Sequence, residues 1–317
     1  MRQTPFETTH AREWTEFEEF LEKQKGFDAA EMPARFRRIC QHLALAQERR
    51  YSADLVDRLN RLALRGHHVL YANRRRESQQ VLEFMQAGFP RLVRQEWRLV
   101  VAAALLFFGP LLALIAILQQ FPDFAHYLLA PEQIASFHQM YDPSNRRLGM
   151  READTSVYMF GFYIWNNVRI GFQTFAGGML AGVGSAWFLG ANGVIIGAVA
   201  GYLTQAGFGE TFWSFVAGHS ALELTAIVLS GAAGFRLGLA VIAPGNQSRK
   251  AALVAAARPA VRMMYGAALM FLGAAFVEAF WSPITEVSFD VKVMVGIAAW
   301  VVLLSYLLLA GRSRAAR

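Results

Sequence analysis

His219 and Glu223 are the residues of this sequence best placed for chemistry, because an imidazole and a carboxylate lie four residues apart in an otherwise apolar stretch, residues 213–242. Residues at this spacing share one face of a helix. A charged side chain at membrane depth costs at least ~2.5 to 3.5 kcal/mol unless another group or water neutralises it. The pair therefore predicts a partner inside the protein, or a site for protons or solutes.

A second apolar segment, which begins YIWNNVRIGFQTFAGG, offers polar partners at a similar depth. With a rise of 1.5 Å per residue, Arg169 and Glu223 lie at depths that differ by about 6 Å, which two long side chains on neighbouring helices can span. We predict that Arg169 pairs with Glu223 and that Asn167 and His219 complete the hydrogen bonds. The predicted buried polar cluster comprises Asn166, Asn167, Arg169, His219 and Glu223.

This cluster has three interpretations. It is a buried ion pair that fixes which helices meet, a polar pocket or proton path that opens outward, or a metal or protease centre. The last lacks support, since the sequence has one histidine at that depth, no HExxH, no G-x-S-x-G and no second carboxylate nearby. We predict no catalytic, cofactor or metal site, and a protein that is not an enzyme.

Composition indicates a membrane protein with several spans. Of the 317 residues, 55% are hydrophobic and 17% are charged, and several apolar runs approach the ~20 residues that cross a bilayer. The single cysteine, Cys40, excludes an intramolecular disulfide and a multi-cysteine metal site. The predicted fold is all-α.

Charge divides the chain into a helical head, residues 1–98, and a membrane domain, residues 99–317. The head holds 18 of the 31 Lys and Arg residues and 14 of the 24 acids. Helical stripes of apolar residues run through it, and Gly26 and Pro33 are expected to stop helices. A third head helix is predicted from Ser52, as its cap, to Tyr71. The head is expected to be a cytoplasmic helical bundle.

The end of the head is predicted to be a basic helix on the membrane surface. It follows the run Arg74, Arg75 and Arg76 and ends near Trp97. Its apolar residues would dip below the headgroups, and its arginines would meet phosphates. The alternative is that these arginines form a solvated face. Nucleic-acid binding is disfavoured, because acids are interleaved with the basic residues. The side chains expected at the bilayer are Phe84, Met85, Phe89, Arg91, Arg94, Trp97 and Arg98.

Six spans are predicted in the membrane domain. The third is short and rich in glycine, so a re-entrant hairpin competes with a crossing there. The predicted inner turn between the second and third spans contains Asn192 and Gly193. The spans cover residues 99–118, 162–189, 193–206, 212–242, 263–280 and 293–310.

The charges of the loops predict the orientation. Six crossings with the amino terminus inside put several basic residues on the cytoplasmic side with no acid among them, namely Arg249, Lys250, Arg258, Arg262 and those of the carboxyl-terminal tail. The opposite side receives the loop of residues 119–160, with five acids and three arginines. This distribution obeys the positive-inside rule. Both termini are therefore predicted to be cytoplasmic.

Glycines at four-residue steps predict close helix packing between the second, third and fourth spans. Such spacing gives a smooth face on which another backbone can approach. The alternative use of such a face is a homodimer interface. The predicted packing glycines are Gly178, Gly182, Gly193, Gly197 and Gly201.

Several segments together resemble one family. They are HAREWTEFEEFLEK and YSADLVDRLNRLALRGHHVLY in the head, then NNVRIGFQTFAGG, ANGVIIG and GHSALELTAIVLSGAAGFRLG in the membrane domain. In this order they resemble the stage II sporulation protein M family of integral membrane proteins, over nearly the whole chain. The family pattern has proline before the histidine of the fourth span, whereas Gly218 stands there in this chain.

The resemblance implies a location in the bacterial inner membrane and a role in cell-envelope work. The namesake acts during engulfment, in a membrane complex with peptidoglycan-degrading enzymes. Relatives in other bacteria are commonly encoded beside a MoxR-type AAA ATPase and von Willebrand factor A-like proteins, which implies such partners. We expect a scaffold that recruits partner proteins; the alternative is a transporter or channel that uses the polar cluster.

Overall fold

The computed structural model describes residues 3–23, 31–144 and 155–312, without the side chains of residues 23 and 70–78, and this part of the chain is helical. It divides into two compact units, Met1–Phe84 and Met85–Arg317. Residues 85–98, expected at the end of the head, belong to the second unit. The side chains of Arg74, Arg75 and Arg76 lie outside the described residues.

The first unit is built from three helices around an aromatic core. The sequence periodicity explains the core, because Trp14 and Phe17 fall on one face of the first helix and Leu59 and Leu62 on one face of the third. All four side chains are almost fully buried, as is Ile39 between them. The helices are α1 Gln3–Lys23, α2 Met32–Glu48 and α3 Ala53–Glu83.

Two details of the first unit differ from expectation. Pro33 lies in the first turn of α2 and so begins a helix, since the first turn does not need the amide hydrogen that proline lacks. Ser52 does precede α3, but its hydroxyl accepts a hydrogen bond of 2.8 Å from the Gln3 side chain instead of capping the helix. Gly26 lies outside the described residues.

The second unit consists of nine further α-helices in the part of the chain that the structure describes. Four stretches are long and apolar enough to cross a membrane: Trp97–Gln120, Val183–Ile242, Arg249–Phe280 and Phe289–Leu309. The helices are α4 Phe89–Gln95, α5 Trp97–Gln120, α6 Ala125–Leu128, α7 Pro131–Tyr141, α8 Ser156–Ala176, α9 Val183–Leu203, α10 Gly209–Ile242, α11 Arg249–Phe280 and α12 Phe289–Leu309.

The 60-residue stretch Val183–Ile242 is a helical hairpin. Its bend lies at Gly207, whose φ of 93° favours glycine. Close to the bend, the indole nitrogen of Trp213 donates a hydrogen bond of 2.9 Å to the hydroxyl of Thr204. Far from it, Gly234 of α10 lies against Ser185 of α9. The two helices therefore run antiparallel.

The predicted turn at Asn192 and Gly193 is wrong. Both residues lie inside α9, where the Asn192 amide donates a hydrogen bond of 2.7 Å to the Phe188 carbonyl of its own helix. The chain turns instead between α8 and α9, where Ala181 and Gly182 adopt positive φ angles of 55° and 83°. An asparagine and a glycine together suggest a turn, but a side-chain bond to the preceding helical turn satisfies the asparagine without one.

The glycine stripe of α9 packs against α5. A Cβ on Gly197 would lie 2.6 Å from the carbonyl oxygen of Leu111, and Gly193 and Gly201 meet α5 in the same way. The expectation that this stripe lies between the second, third and fourth spans is therefore wrong, since it meets the first. It is covered within one chain, so it is not a free dimer surface.

The other two packing glycines do lie against α10. Gly178 approaches the backbone of Gly234, and Gly182 approaches Gly238. They stand in the turn between α8 and α9 and not on a helix face. Their lack of a side chain lets this turn lie directly on the α10 backbone.

The start of α5 and the end of α12 lie at the same end of the second unit. Arg94 of α4 donates hydrogen bonds of 2.6 Å to the Leu307 carbonyl and 2.8 Å to the Ala310 carbonyl. Arg91 donates one of 2.7 Å to the Gly311 carbonyl. These arginines satisfy the free carbonyls at the end of a helix.

The predicted surface helix before the first span is therefore wrong for α4. Arg91 and Arg94 bind protein carbonyls rather than phosphates, and Phe89 is fully buried against Gly266 of α11. An amphipathic helix can lie on a membrane surface or pack against protein. Here α4 packs against protein, where its arginines bind the free carbonyls at the end of α12. Trp97 remains exposed, as a residue at the bilayer surface would be.

Candidate functional site

Helix α10 positions an imidazole and a carboxylate side by side. Nε2 of His219 lies 3.7 Å from Oε2 of Glu223, which is too long for a hydrogen bond. The Trp281 ring packs directly on the α10 backbone at Gly218, where any side chain would overlap it. His219, the next residue along α10, is buried, with 4% of its surface exposed.

Helix α11 brings a second carboxylate to the same place. Glu278 is 9% exposed, and its ligand oxygen lies within 4.8 Å of those of His219 and Glu223. We call His219, Glu223 and Glu278 the buried triad. Asn167 of α8, also buried, lies beside the Glu278 carboxylate. Three helices thus converge on one polar site.

The turn between α11 and α12 closes the site. The Ser282 hydroxyl lies 3.0 Å from Nδ1 of His219 and is fully buried. Lys292, near the start of α12, is also fully buried and donates a hydrogen bond of 2.8 Å from Nζ to the Ser282 carbonyl. Its ammonium lies 5.8 Å from the centre of the Trp281 ring. Lys292 therefore stabilises the turn that holds Ser282 against the imidazole.

The site is not a self-satisfied network. Within the described residues, Oε2 of Glu278 and Nδ2 of Asn167 are buried without a hydrogen bond of good geometry, although the Asn167 amide lies close enough to the Glu278 carboxylate to interact with it. A buried polar atom without a partner costs ~1 to 3 kcal/mol. One imidazole nitrogen and two carboxylates directed at a shared space can hold protons or a cation.

Comparison with known families bears on the region that contains this site. Residues 100–283, more than half of the chain, match the family model described as Stage II sporulation protein M. The chain belongs to the stage II sporulation protein M family. Residues 4–72 match a separate model, described as Domain of unknown function (DUF8413). No curated protein and no solved structure gives a match.

The two matches correct the extent of the family resemblance. The family match covers the chain from α5 to α11, with the whole buried triad, Asn167 and Ser282, and it ends before α12. The head segments, which resembled the same family in sequence, fall in the match to the second model. Lys292 lies beyond both matches. The stage II sporulation protein M family therefore describes the part of this chain that forms the polar site.

The predicted pair between Arg169 and Glu223 is wrong. Arg169 is exposed, lies 4.5 Å from the Trp165 ring centre and donates a hydrogen bond of 3.4 Å to Asn166. Successive helical residues are rotated by about 100°, so Arg169 points almost opposite to Asn167, two positions earlier. Similar depth in the bilayer is therefore not sufficient for an ion pair, because each side chain must also point toward the other from its helix.

The other predicted members divide between the site and its edge. Asn167, His219 and Glu223 are brought together. Asn166 is half-buried, and its amide donates a hydrogen bond of 3.3 Å to Oδ1 of Asn167. It therefore orients Asn167 from outside the site.

Glu278, Ser282 and Lys292 were missed. In the sequence, Glu278 lies at the end of the predicted span 263–280, a position from which a side chain can reach water. The signal that could have found it is depth, because the outer ends of α10 and α11 lie together and both carboxylates fall within a few turns of those ends. The statement that no second carboxylate lies near His219 and Glu223 is therefore wrong.

The first unit has a comparable cluster of His10, Glu13 and His42. Nε1 of Trp14 donates a hydrogen bond of 3.0 Å to Nδ1 of His42, and Glu13 lies 2.7 Å from Arg38. Burial lowers the pKa of His42 below its usual value, which keeps the ring neutral. With Nδ1 accepting, a neutral His42 carries its proton on Nε2. Two members of this cluster are therefore engaged, His42 by Trp14 and Glu13 by the ion pair with Arg38.

Proposed function

We propose that this family member is a non-catalytic scaffold of the bacterial cytoplasmic membrane that assembles partner proteins for work on the cell envelope. The observation that carries the proposal is a helical unit with its own aromatic core, preceding a membrane unit in the same chain. A separately folded module suits the recruitment of other proteins. A transporter or channel with a small-molecule site inside the membrane does not require such a module.

Six crossings are part of this proposal. Arg94 joins the start of α5 to the end of α12, so these two ends lie together. If α5 and α12 both cross the membrane, the chain enters and leaves on the same side, and the number of crossings is even. The antiparallel hairpin of α9 and α10 supplies two further crossings. Helices α8 and α11 complete the set.

Helix α8 is not among the four stretches that length and composition alone identify as able to cross a membrane, yet it suits a crossing. Its 21 residues extend about 31 Å, close to the thickness of the hydrocarbon core. Its polar residue Asn167 faces the protein, whereas Phe162, Trp165 and Phe172 are exposed. The exposed face of α8 is apolar, which suits contact with acyl chains. Its buried face is polar, which suits contact with the polar site.

Charge orients the bundle. Helix α11 extends about 48 Å, so its first turns would project beyond the hydrocarbon. Those turns carry Arg249, Lys250 and Arg258, all exposed, while Glu210 and Glu286 lie near the opposite end. The positive-inside rule then puts the α11 start, the α12 end and the head in the cytoplasm.

The surface of the head suits protein partners. Ion pairs cover it, including Arg12 with Glu16 at 2.9 Å and Arg35 with Glu16 at 3.2 Å. Paired charges of both signs disfavour nucleic acid and fit a protein surface with its own mixed charges. By family resemblance the proposed partners are an AAA ATPase of MoxR type and von Willebrand factor A-like proteins, with a homodimer as a further assembly.

The test is capture of partners by the full chain. A photo-crosslinking residue at position 61, an exposed site on α3, should capture a cytoplasmic protein that also co-purifies in mild detergent. The same residue at position 210, exposed and on the extracytoplasmic side in the proposed topology, is the matched control and should not capture it. A chain that purifies alone and captures nothing from position 61 would contradict the proposal.

The competing function is a transporter or channel, and the observation that favours it is the buried triad. Under that function, Glu223→Gln abolishes flux while protein abundance stays normal. For a scaffold, the same change lowers assembly and abundance together. Measuring both quantities in cells separates the two.

A further inference from the structure

We propose that the buried triad binds one divalent transition-metal ion. The three ligand atoms of His219, Glu223 and Glu278 lie within 4.8 Å of one another, and the His219 to Glu223 distance is 3.7 Å. Bonds of 2.0 to 2.2 Å in a tetrahedral zinc site put neighbouring ligand atoms roughly 3.4 Å apart. His219 and Glu223 are already within a few tenths of an ångström of that spacing, and the widest separation of 4.8 Å has to close by about 1.4 Å, which side-chain rotation can supply.

Charge balance supports a divalent ion. Two ionised carboxylates and a neutral imidazole carry two negative charges, which a buried site tolerates only when protons or a cation compensate them. The nearby cations are engaged elsewhere, because Arg169 is exposed on the Trp165 ring and the Lys292 ammonium binds the Ser282 carbonyl. In the described part of the chain, Glu278 forms no salt bridge. One divalent ion neutralises the triad.

The surroundings orient the ligands as a metal requires. Ser282 Oγ can accept a hydrogen bond from Nδ1 of His219, at 3.0 Å, which leaves the Nε2 lone pair directed toward Glu223. Histidine ligands commonly donate their second ring nitrogen in this way. Within the described residues, Glu278 Oε2 is buried and accepts no hydrogen bond of good geometry, and the contact of its carboxylate with the Asn167 amide still leaves lone pairs for an ion.

The donor set selects the class of ion. One imidazole nitrogen and two carboxylate oxygens suit Zn²⁺, Fe²⁺ or Mn²⁺, whereas Ca²⁺ takes six to eight oxygens and Mg²⁺ retains several waters. Three protein ligands leave one tetrahedral position open.

The cluster in the first unit provides an internal comparison. A metal on Nε2 of His42 would displace the proton that the ring keeps while Nδ1 accepts from Trp14, and Glu13 is already paired with Arg38. The buried triad has neither obstacle. Binding is therefore expected at the triad and not at His10, Glu13 and His42.

The test uses the full chain in detergent, freed of metal with a chelator and titrated with Zn²⁺ by calorimetry. We expect one ion per chain, and Co²⁺ should give the intense visible absorption of a tetrahedral nitrogen and oxygen site. Glu278→Gln, which keeps the shape and removes the charge, should weaken Zn²⁺ binding at least tenfold. Glu210→Gln, the matched control on α10, should bind as the unaltered chain does.

Ser282 is a positioning residue in this proposal. Ser282→Ala should keep one Zn²⁺ per chain but weaken binding by about 10-fold to 100-fold, the usual effect of losing the partner of a ligand histidine. If the variant still binds one Zn²⁺ per chain but with lower affinity, Ser282 positions a ligand and is not itself a ligand.

Three results would overturn the proposal: no Zn²⁺ bound by the unaltered chain, equal binding by Glu278→Gln, or loss of binding on His42→Gln. If Glu278→Gln does not elute as a single folded species, the Co²⁺ spectrum of the unaltered chain decides, and its absence rejects the site. None of these results bears on partner recruitment by the head.

Discussion

The guanidinium of Arg94 donates a hydrogen bond of 2.8 Å to the carbonyl oxygen of Ala310, so the residue that precedes the first long apolar helix binds the end of the last one. A cation at the carboxyl end of a helix satisfies free carbonyls and complements the helix dipole. This contact closes the second unit and puts both ends of its chain at one end of the bundle.

Removal of this contact should loosen the end of α12. Arg94→Ala deletes charge-assisted bonds to Leu307 and Ala310, at about 1.5 to 3 kcal/mol each. We expect a lower melting temperature in detergent and faster hydrogen exchange at the end of α12. Arg98→Ala, whose exposed guanidinium lies over the Trp97 ring, is the control and should change neither. Equal effects of the two variants would contradict the capping role.

Chemical labelling should detect the proposed orientation. Burial raises the pKa of the Cys40 thiol, which reduces its reactivity, and Cys40→Ala removes it altogether. On that background, Glu286→Cys should react with an impermeant reagent in intact cells. Lys250→Cys should react only after the membrane is permeabilised. Labelling of both before permeabilisation would reject the six-span topology.

Two glycines of α9 offer a matched test of packing against α5. Gly197→Ala would bring a Cβ to 2.6 Å from the Leu111 carbonyl oxygen, whereas Gly190→Ala meets nothing within 4 Å. Overpacking costs typically ~1 to 3 kcal/mol. We expect Gly197→Ala to lower thermal stability by that amount and Gly190→Ala to leave it unchanged or raise it. Because alanine favours a helix more than glycine does, helix propensity cannot explain a loss of stability, and equal stability of the two variants would contradict tight packing at Gly197.

Arg169 should be dispensable for folding. Its side chain is exposed, so Arg169→Gln should change stability by no more than about 0.5 kcal/mol. Asn167→Ala, which removes a buried amide from beside Glu278, should cost more. Thermal melting of the two variants decides, and a large loss from Arg169→Gln would restore the ion pair with Glu223.

Acid should destabilise the first unit through His42. Burial lowers the pKa of His42 in the folded chain below the 6.5 of an unburied imidazole, so the unfolded chain binds the proton more readily. The resulting stability is present above pH 6.5 and is lost as the pH falls through the folded pKa. Hydrogen exchange of α1 to α3, corrected for intrinsic rates, should show this loss. His42→Gln should flatten the dependence, whereas His68→Gln, an exposed control, should not.

Much of the helical architecture was predictable, because apolar periodicity and run length are local properties. The stripe that includes Trp14 and Phe17 is buried as expected, and the apolar runs that begin near Leu99 and Val293 form α5 and α12. Turns were harder. The asparagine and glycine at positions 192 and 193 continue a helix, while the chain turns where Gly182 adopts a positive φ.

The polar site was half predictable for a physical reason. Spacing along α10 determines that His219 and Glu223 share a face, but the partner on another helix depends on how each helix is rotated. Arg169 has a suitable depth and the wrong direction, whereas Glu278 has both. Rotation about the helix axis follows from packing of the whole bundle, including the contact of Gly218 with Trp281.

The decisive measurement is anomalous X-ray scattering at the zinc edge from crystals of the full chain grown with Zn²⁺. A single peak within bonding distance of Nε2 of His219 and of the carboxylates of Glu223 and Glu278 is the expected result. A map with no peak among these three side chains, with Glu223 instead paired to Arg169, would contradict the arrangement described above.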